Sequence, residues 1–70
     1  MKLDRDKVIA RMKAVDINTL GHLAQAIDVE APTLSRYFSG EYKPSWEKQA
    51  AMCRVLRCTV DDIVTYDNGN

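Results

Sequence analysis

Few side chains in this sequence could make or break bonds, and their spacing suits neither a catalytic site nor a metal site. The 70 residues include one histidine, His22, and two cysteines, Cys53 and Cys58. Three such side chains cannot complete a four-ligand zinc site within one chain, and no nucleophile is spaced to form a catalytic set with His22. The two cysteines are therefore expected to be free thiols, as is usual in a reducing compartment.

Two acidic pairs stand where helices are predicted to begin, and there they favour the helix N-terminus more than they suit acid–base catalysis. They are Asp4 with Asp6 and Asp61 with Asp62. The chain is accordingly expected not to be an enzyme, to hold no metal or cofactor, and to bind no evident small-molecule ligand.

Arg36 could instead recognise a nucleic-acid base. A guanidinium can donate two hydrogen bonds to O6 and N7 of guanine, which discriminates against other bases by about 1–3 kcal/mol. On composition alone, an exposed arginine is more often a solvated charge. Its place in the chain favours recognition, because two short amphipathic helical patterns lie between Leu20 and Gly40, separated by three or four residues. This spacing is typical of a helix-turn-helix, whose second helix can enter a DNA major groove.

Five short helices are predicted to position these residues. The first runs from an N-cap at Asp4 to Val15, and the second is capped by Asn18 or Thr19. Apolar residues at helical spacing mark their buried faces. In the first helix these are Val8, Ile9 and Met12, with Leu3 and Val15 flanking, and in the second they are Leu20, Leu23, Ala24 and Ile27.

The third predicted helix covers residues 31–39 and carries the candidate recognition face. Asp28 precedes it at a turn that needs a left-handed residue, Pro32 falls in its first turn, and Gly40 ends it. Four apolar side chains of this segment are expected to face the core wholly or in part. They are Val29, Leu34, Tyr37 and Phe38.

The last two predicted helices complete an all-α domain over residues 1–66, followed by a frayed tail at residues 67–70. The fourth begins at Ser45, and the fifth runs from a cap at Thr59 to about Tyr66. The apolar residues expected to face the core are Phe38, Trp46, Ala50, Cys53, Leu56, Ile63 and Val64.

The charge balance is neutral, whereas phosphate contacts usually call for a basic domain. Three acidic residues lie among the last ten positions, so the rest of the chain has three more basic than acidic groups and can present a positive face. No apolar stretch approaches the roughly 20 residues that a bilayer requires. The start of the chain also lacks the apolar segment of a signal peptide, so no membrane contact and a cytoplasmic location are expected.

Four short motifs occur along the chain in an order that is typical of one protein family. They are L-A-Q-A-I-D-V, L-S-R-Y-F-S-G, K-P-S and V-L-R-C-T-V-D-D-I, and they span nearly the whole chain. In this order the sequence resembles the Cro/CI-type, or XRE-like, helix-turn-helix domain, with a compact five-helix, lambda-repressor-like fold. The resemblance implies a sequence-specific transcription regulator, in the simplest case a repressor that blocks polymerase, which binds double-stranded DNA as a homodimer. The segment from Cys58 to Tyr66 is the predicted dimer surface, because it has more apolar residues than a short fifth helix can bury. Phe38 and Trp46 are expected to face either the core or a dimer interface.

The resemblance also assigns site residues by position. Base-reading positions at the start and middle of the third helix fall on Ala31, Pro32 and Arg36, with Thr33 and Ser35 beside them. Ala31 and Pro32 could contact only thymine methyl groups, because their side chains have no donors. Phosphate-contacting positions with suitable donors fall on Thr19, Ser39, Tyr42 and Lys43.

An alternative function belongs to another class, a helix-turn-helix scaffold for protein binding, such as an antitoxin-like or regulator-sequestering module. Three features favour it: the zero net charge, Leu20 where the family commonly has Gln, and Glu30 where a small polar residue is common. Salt dependence separates the two functions, because binding through several phosphates weakens steeply as salt rises.

Overall fold

A computed structural model describes residues 2–66, and within that range the fold consists of four α-helices, one 3-10 turn and a two-stranded sheet. In chain order these are β1 (Lys2–Leu3), α1 (Arg5–Ala14), α2 (Leu20–Ala26), α3 (Ala31–Ser39), α4 (Trp46–Leu56), the 3-10 turn (Val60–Asp62) and β2 (Val64–Thr65). The predicted frayed tail at residues 67–70 lies outside the described residues.

The predicted fifth helix, and with it the five-helix fold, is wrong. After the 3-10 turn the chain extends, and Leu3 and Val64 become partners in an antiparallel pair of strands. The run Ile63-Val64-Thr65 is β-branched, which favours extended backbone and cross-strand packing over helix. The carbonyl oxygen of Ile63 accepts a hydrogen bond of 2.8 Å from the backbone N–H of Asp4, which joins the two ends of the fold.

The same correction removes the reason for the predicted dimer surface between Cys58 and Tyr66. That prediction depended on more apolar side chains than a short fifth helix could bury. Ile63 and Val64 are in fact buried within the monomer, because the turn and β2 press them into the core.

The core forms from one apolar face of each helix, as predicted for the first three. One buried cluster contains Val8 and Met12 of α1, Leu23 and Ala24 of α2, and Leu34 of α3. A second set is half-buried at its edge rather than enclosed. These residues are Ile9, Val15, Leu20, Val29 and Phe38.

The predicted apolar face of α4 is partly wrong. Trp46 is 75% exposed, so it is not a core residue, whereas Met52, which the predicted stripe omitted, is fully buried. Met52 is six positions after Trp46, which places the two side chains roughly 120° apart around the helix at about 100° per residue. Leu56 is buried as predicted, while Ala50 and Cys53 are half-buried. The Met52 side of α4 therefore faces the core, and Trp46 in its first turn is exposed to solvent.

The predicted starts of α1 and α4 are confirmed by capping hydrogen bonds. The side chain of Asp4 accepts from the backbone N–H of Lys7 at 3.1 Å, and the hydroxyl of Ser45 accepts from that of Lys48 at 3.2 Å. Each bond satisfies one of the donors that the first turn of a helix leaves without an intrahelical partner. Local sequence thus sets where these helices begin.

Candidate nucleic-acid interface

The helix-turn-helix is formed by α2 and α3, and its turn adopts the backbone that the sequence predicts. Asp28 has φ of 59°, in the left-handed region. The backbone N–H of Val29 donates to the carbonyl oxygen of Ala24 at 2.9 Å, which closes the end of α2. From α4, the ammonium group of Lys48 donates to the carbonyl oxygens of Ile27 and Asp28, each at 3.0 Å. The turn is therefore held from within and from the neighbouring helix.

The two sides of α3 differ as a recognition helix requires. Leu34 and Tyr37 are buried against the rest of the domain. The opposite side is exposed over its whole length, and Thr33 is half-buried at its border. The exposed residues are Ala31, Pro32, Ser35, Arg36 and Ser39. The structure brings the predicted base-reading residues together on one helix, four of them on a bare face.

Arg36 lies near the middle of this face and has two neighbours from the following loop. Its Nε is 3.3 Å from Oε2 of Glu41, and its guanidinium carbon is 5.4 Å from the centre of the Tyr42 ring. About half of the Arg36 side chain remains accessible to solvent. The guanidinium thus stays at the surface, but it is paired and stacked rather than simply solvated.

The loop after α3 is closed by hydrogen bonds around Gly40, whose φ is 85°. The hydroxyl of Ser39 donates to the carbonyl oxygen of Arg36 at 3.0 Å and accepts from the backbone N–H of Glu41 at 3.3 Å. The backbone N–H of Tyr42 donates to the same carbonyl oxygen at 3.2 Å. The Ser39 proton therefore already has an acceptor, so a phosphate contact from this hydroxyl would require it to rotate.

The remaining predicted phosphate-contacting residues are exposed. The hydroxyl oxygen of Thr19 accepts from the backbone N–H of His22 at 3.0 Å, which caps α2 and leaves the hydroxyl proton to donate elsewhere. Lys43 is exposed in the loop between α3 and α4. We define the recognition surface as the exposed face of α3 together with Thr19, Tyr42 and Lys43.

Two basic residues beside this surface were missed from the sequence. Lys2 on β1 approaches Gly40, its Cδ being 4.0 Å from the position that a Cβ there would occupy. Arg5, at the start of α1, shares a shallow groove with Ala31 and Ser35 of α3. Neither residue was among the predicted DNA-contacting positions. The pairing of β1 with β2, which no local pattern indicated, accounts for this approach to α3.

The thiols and acidic pairs are not part of the recognition surface as defined, although Asp4 and Asp6 line one groove together with Lys2 and Arg5. Cys53 and Cys58 are free and half-buried, and burial raises the pKa of each thiol. A hydrogen bond from Thr65 lowers the pKa of Asp4, and hydrogen bonds from Thr59 lower that of Asp62. Within residues 2–66, no group of three or more His, Cys, Asp or Glu side chains could hold a metal ion.

Comparison with known proteins identifies the family. A profile of the Cro/C1-type HTH DNA-binding domain matches residues 7–69. The chain belongs to this family. The resemblance seen in the sequence is thereby confirmed, and the Cro/C1-type domain occupies nearly the whole chain.

Two individual proteins resemble this Cro/C1-type domain. The DNA-binding domain of the P22 C2 repressor has a similar fold, with a TM-score of 0.64 and 22% identity over 89% of this chain and 87% of that one. A type II methyltransferase of Staphylococcus aureus, M.Sau96I, is 34% identical over 64 residues. That match covers 91% of this chain but 15% of the methyltransferase, so the chain spans a small part of that relative's length.

Among the described residues, none of the helices has the length and apolar character needed to cross a bilayer.

Proposed function

We propose that this Cro/C1-type domain is a sequence-specific transcription regulator that reads the DNA major groove with α3. The observation that carries the proposal is the exposed face of α3, with Arg36 at its middle and Leu34 anchoring the opposite side in the core. An α-helix fits the major groove, where each base pair presents a distinct pattern of donors and acceptors.

The residues divide into two roles under this proposal. Arg36 reads guanine through paired hydrogen bonds, Ser35 supplies a further donor, and Ala31 and Pro32 pack against thymine methyl groups. Thr19 and Lys43, with Ser39 and Tyr42, contact phosphates and set the register of the helix in the groove. Lys2 and Arg5 extend the positive charge along the edge of the recognition surface, where the phosphate backbone would pass.

A homodimer is the proposed working form, because one short recognition helix provides little affinity by itself. Two copies would read half-sites about 34–36 Å apart, one turn of the duplex. Repression by blocking polymerase is the simplest regulatory outcome, and the proposed location is the cytoplasm. Methyl transfer is not proposed for this chain, which matches so small a part of the methyltransferase.

Selection of binding sites from random duplexes at moderate salt tests the proposal. We expect one enriched site with the two-fold symmetry of a dimer. Arg36→Ala should remove the preference at one base pair of each half-site, whereas Lys43→Ala should weaken binding to all sequences alike and reduce the salt slope by about one. Arg54→Ala, which removes an exposed arginine on α4 outside the recognition surface, is the charge-matched control.

The second candidate is the protein-binding scaffold, which the zero net charge and Glu30 at the start of α3 favour. If the purified domain enriches no site and shows no salt-dependent binding to DNA, the regulator proposal is refuted. Recovery of a defined protein complex that resists high salt would then support the scaffold.

A further inference from the structure

We propose that Glu41 is a specificity-determining residue, which acts with Tyr42 to position the Arg36 guanidinium for base recognition. This inference deepens the proposed function and depends on it. Glu41 is expected to have two opposing effects on DNA binding. A carboxylate beside the recognition surface repels phosphates and weakens binding to every sequence, but by holding Arg36 it increases the preference for the correct base.

Glu41 and Tyr42 contact the Arg36 guanidinium without occupying its two terminal nitrogens. Glu41 approaches at Nε, the guanidinium nitrogen nearest the backbone, at 3.3 Å. A pairing at Nε leaves the two terminal nitrogens as donors for O6 and N7 of guanine. The Tyr42 ring, 5.4 Å from the guanidinium carbon, lies within the range of a cation–π contact. The arginine is thus held on two sides while its reading end remains available.

The position of Glu41 does not depend on Arg36 alone. The backbone N–H of Glu41 donates to the Ser39 hydroxyl, which in turn donates to the carbonyl oxygen of Arg36. The backbone N–H of Tyr42 donates to that same oxygen. Backbone geometry therefore presents both loop side chains to the guanidinium before any ligand arrives.

Restraint of this kind matters because a free arginine side chain loses rotamer freedom when it binds. Immobilising one long side chain weakens binding by a factor of about three to ten, and a side chain already held avoids most of that loss. The restraint also disfavours alternative poses in which Arg36 reaches a neighbouring base or a phosphate. Both effects act on discrimination between sequences.

The test measures affinity for three duplexes: the enriched site, the same site with the guanine pair read by Arg36 replaced, and an unrelated sequence. For Glu41→Gln we expect the ratio between the first two duplexes to fall about three- to tenfold. We expect affinity for the unrelated duplex to rise, because one negative charge is removed. Glu47→Gln removes the same charge from the first turn of α4 and should leave the ratio unchanged.

Two further measurements separate positioning from folding and from the proposed function. Equal thermal unfolding of Glu41→Gln and the parent chain shows that the fold is intact, and faster solvent exchange of the Arg36 Nε–H signal reports loss of the pairing. If the parent chain enriches a site and Arg36→Ala loses one base preference while Glu41→Gln keeps its ratio, this inference is overturned and the proposed function stands. If the parent chain enriches no site, both are overturned.

Discussion

The ammonium group of Lys48, in the first turn of α4, lies 3.0 Å from the carbonyl oxygen of Asp28 at the turn between α2 and α3. It makes a second bond of the same length to the carbonyl oxygen of Ile27. One charged side chain thus satisfies two carbonyl groups that the end of α2 leaves without helical partners. The angle between the two helices of the motif depends in part on a residue outside it.

Removal of this tie should destabilise the domain. Lys48→Met keeps most of the side chain's length and deletes the donors, so we expect the free energy of unfolding to fall by about 1–3 kcal/mol. Urea unfolding at neutral pH measures the change. Lys13→Met, at an exposed position of α1, should alter stability by no more than about 0.5 kcal/mol. Equal effects of the two substitutions would contradict a role for Lys48 in the turn.

The end of α4 carries a strained backbone conformation. Arg57 has φ of 54°, a region that an L-residue occupies at a steric cost that glycine avoids. The contact that Arg11 makes there is to the carbonyl oxygen of Arg57, so it does not depend on the Arg57 side chain. We therefore expect Arg57→Gly to stabilise the domain by up to about 1 kcal/mol in thermal or urea unfolding.

The same substitution within α4 is the matched control, and it should have the opposite sign. Arg54 is exposed and lies inside the helix, where glycine destabilises by about 1 kcal/mol relative to good helix formers. A loss of stability in both variants would contradict the assignment of strain to Arg57.

Acid should unfold the domain partly through two carboxylates. Hydrogen bonds from Thr65 and Thr59 hold the pKa values of Asp4 and Asp62 below the ordinary value of 3.8. A folded-state pKa below the unfolded one means that the stabilisation is complete above about pH 4 and is lost as pH falls through the folded value. We expect Asp62→Asn to flatten the dependence of unfolding free energy on pH between about pH 5 and 2. A slope equal to that of the parent chain would contradict this role of Asp62.

The two cysteines should react slowly in the folded domain. Burial is the main cause that raises the pKa of Cys53 and Cys58 above 9.0, so the thiolate fraction at neutral pH is small. We expect alkylation by iodoacetamide at pH 7, followed by mass spectrometry, to be much slower than in urea-unfolded protein. Rates that match those of the unfolded chain would contradict this prediction.

Glu30 stands at the N-cap of α3 without making a capping hydrogen bond from its side chain. Serine is a favoured N-cap, so Glu30→Ser should stabilise the domain by about 0.5–1 kcal/mol. The same change removes a carboxylate from the end of the recognition helix, and we expect DNA affinity to rise equally for all sequences. Thermal unfolding and binding to two unrelated duplexes measure the two effects. A change in base preference would mean that Glu30 takes part in reading the sequence.

Local patterns in the amino-acid sequence were enough to locate the helices α1 to α4. Capping residues such as Thr19 and Ser45, the left-handed turn at Asp28 and the apolar spacing of α1 to α3 depend on interactions within a few residues, and local pattern is enough to locate them. The exposed side of α3 followed from the same periodicity. Family motifs along the chain then indicated the Cro/C1-type domain.

The pairing of β1 with β2 could not be predicted from local pattern, because it joins two segments that are distant in the sequence. Whether residues 64–65 form a helix or a strand depends on the presence of a partner, and that partner, β1, lies some sixty residues away in the sequence. This pairing sets Lys2 beside Gly40 and buries Val64. The orientation of α4, with Met52 inside and Trp46 outside, likewise depends on where separate segments meet in space, and periodicity along the chain does not predict it. The pairing of Arg36 with Glu41 depends on the left-handed turn at Gly40, which brings the loop back beside α3.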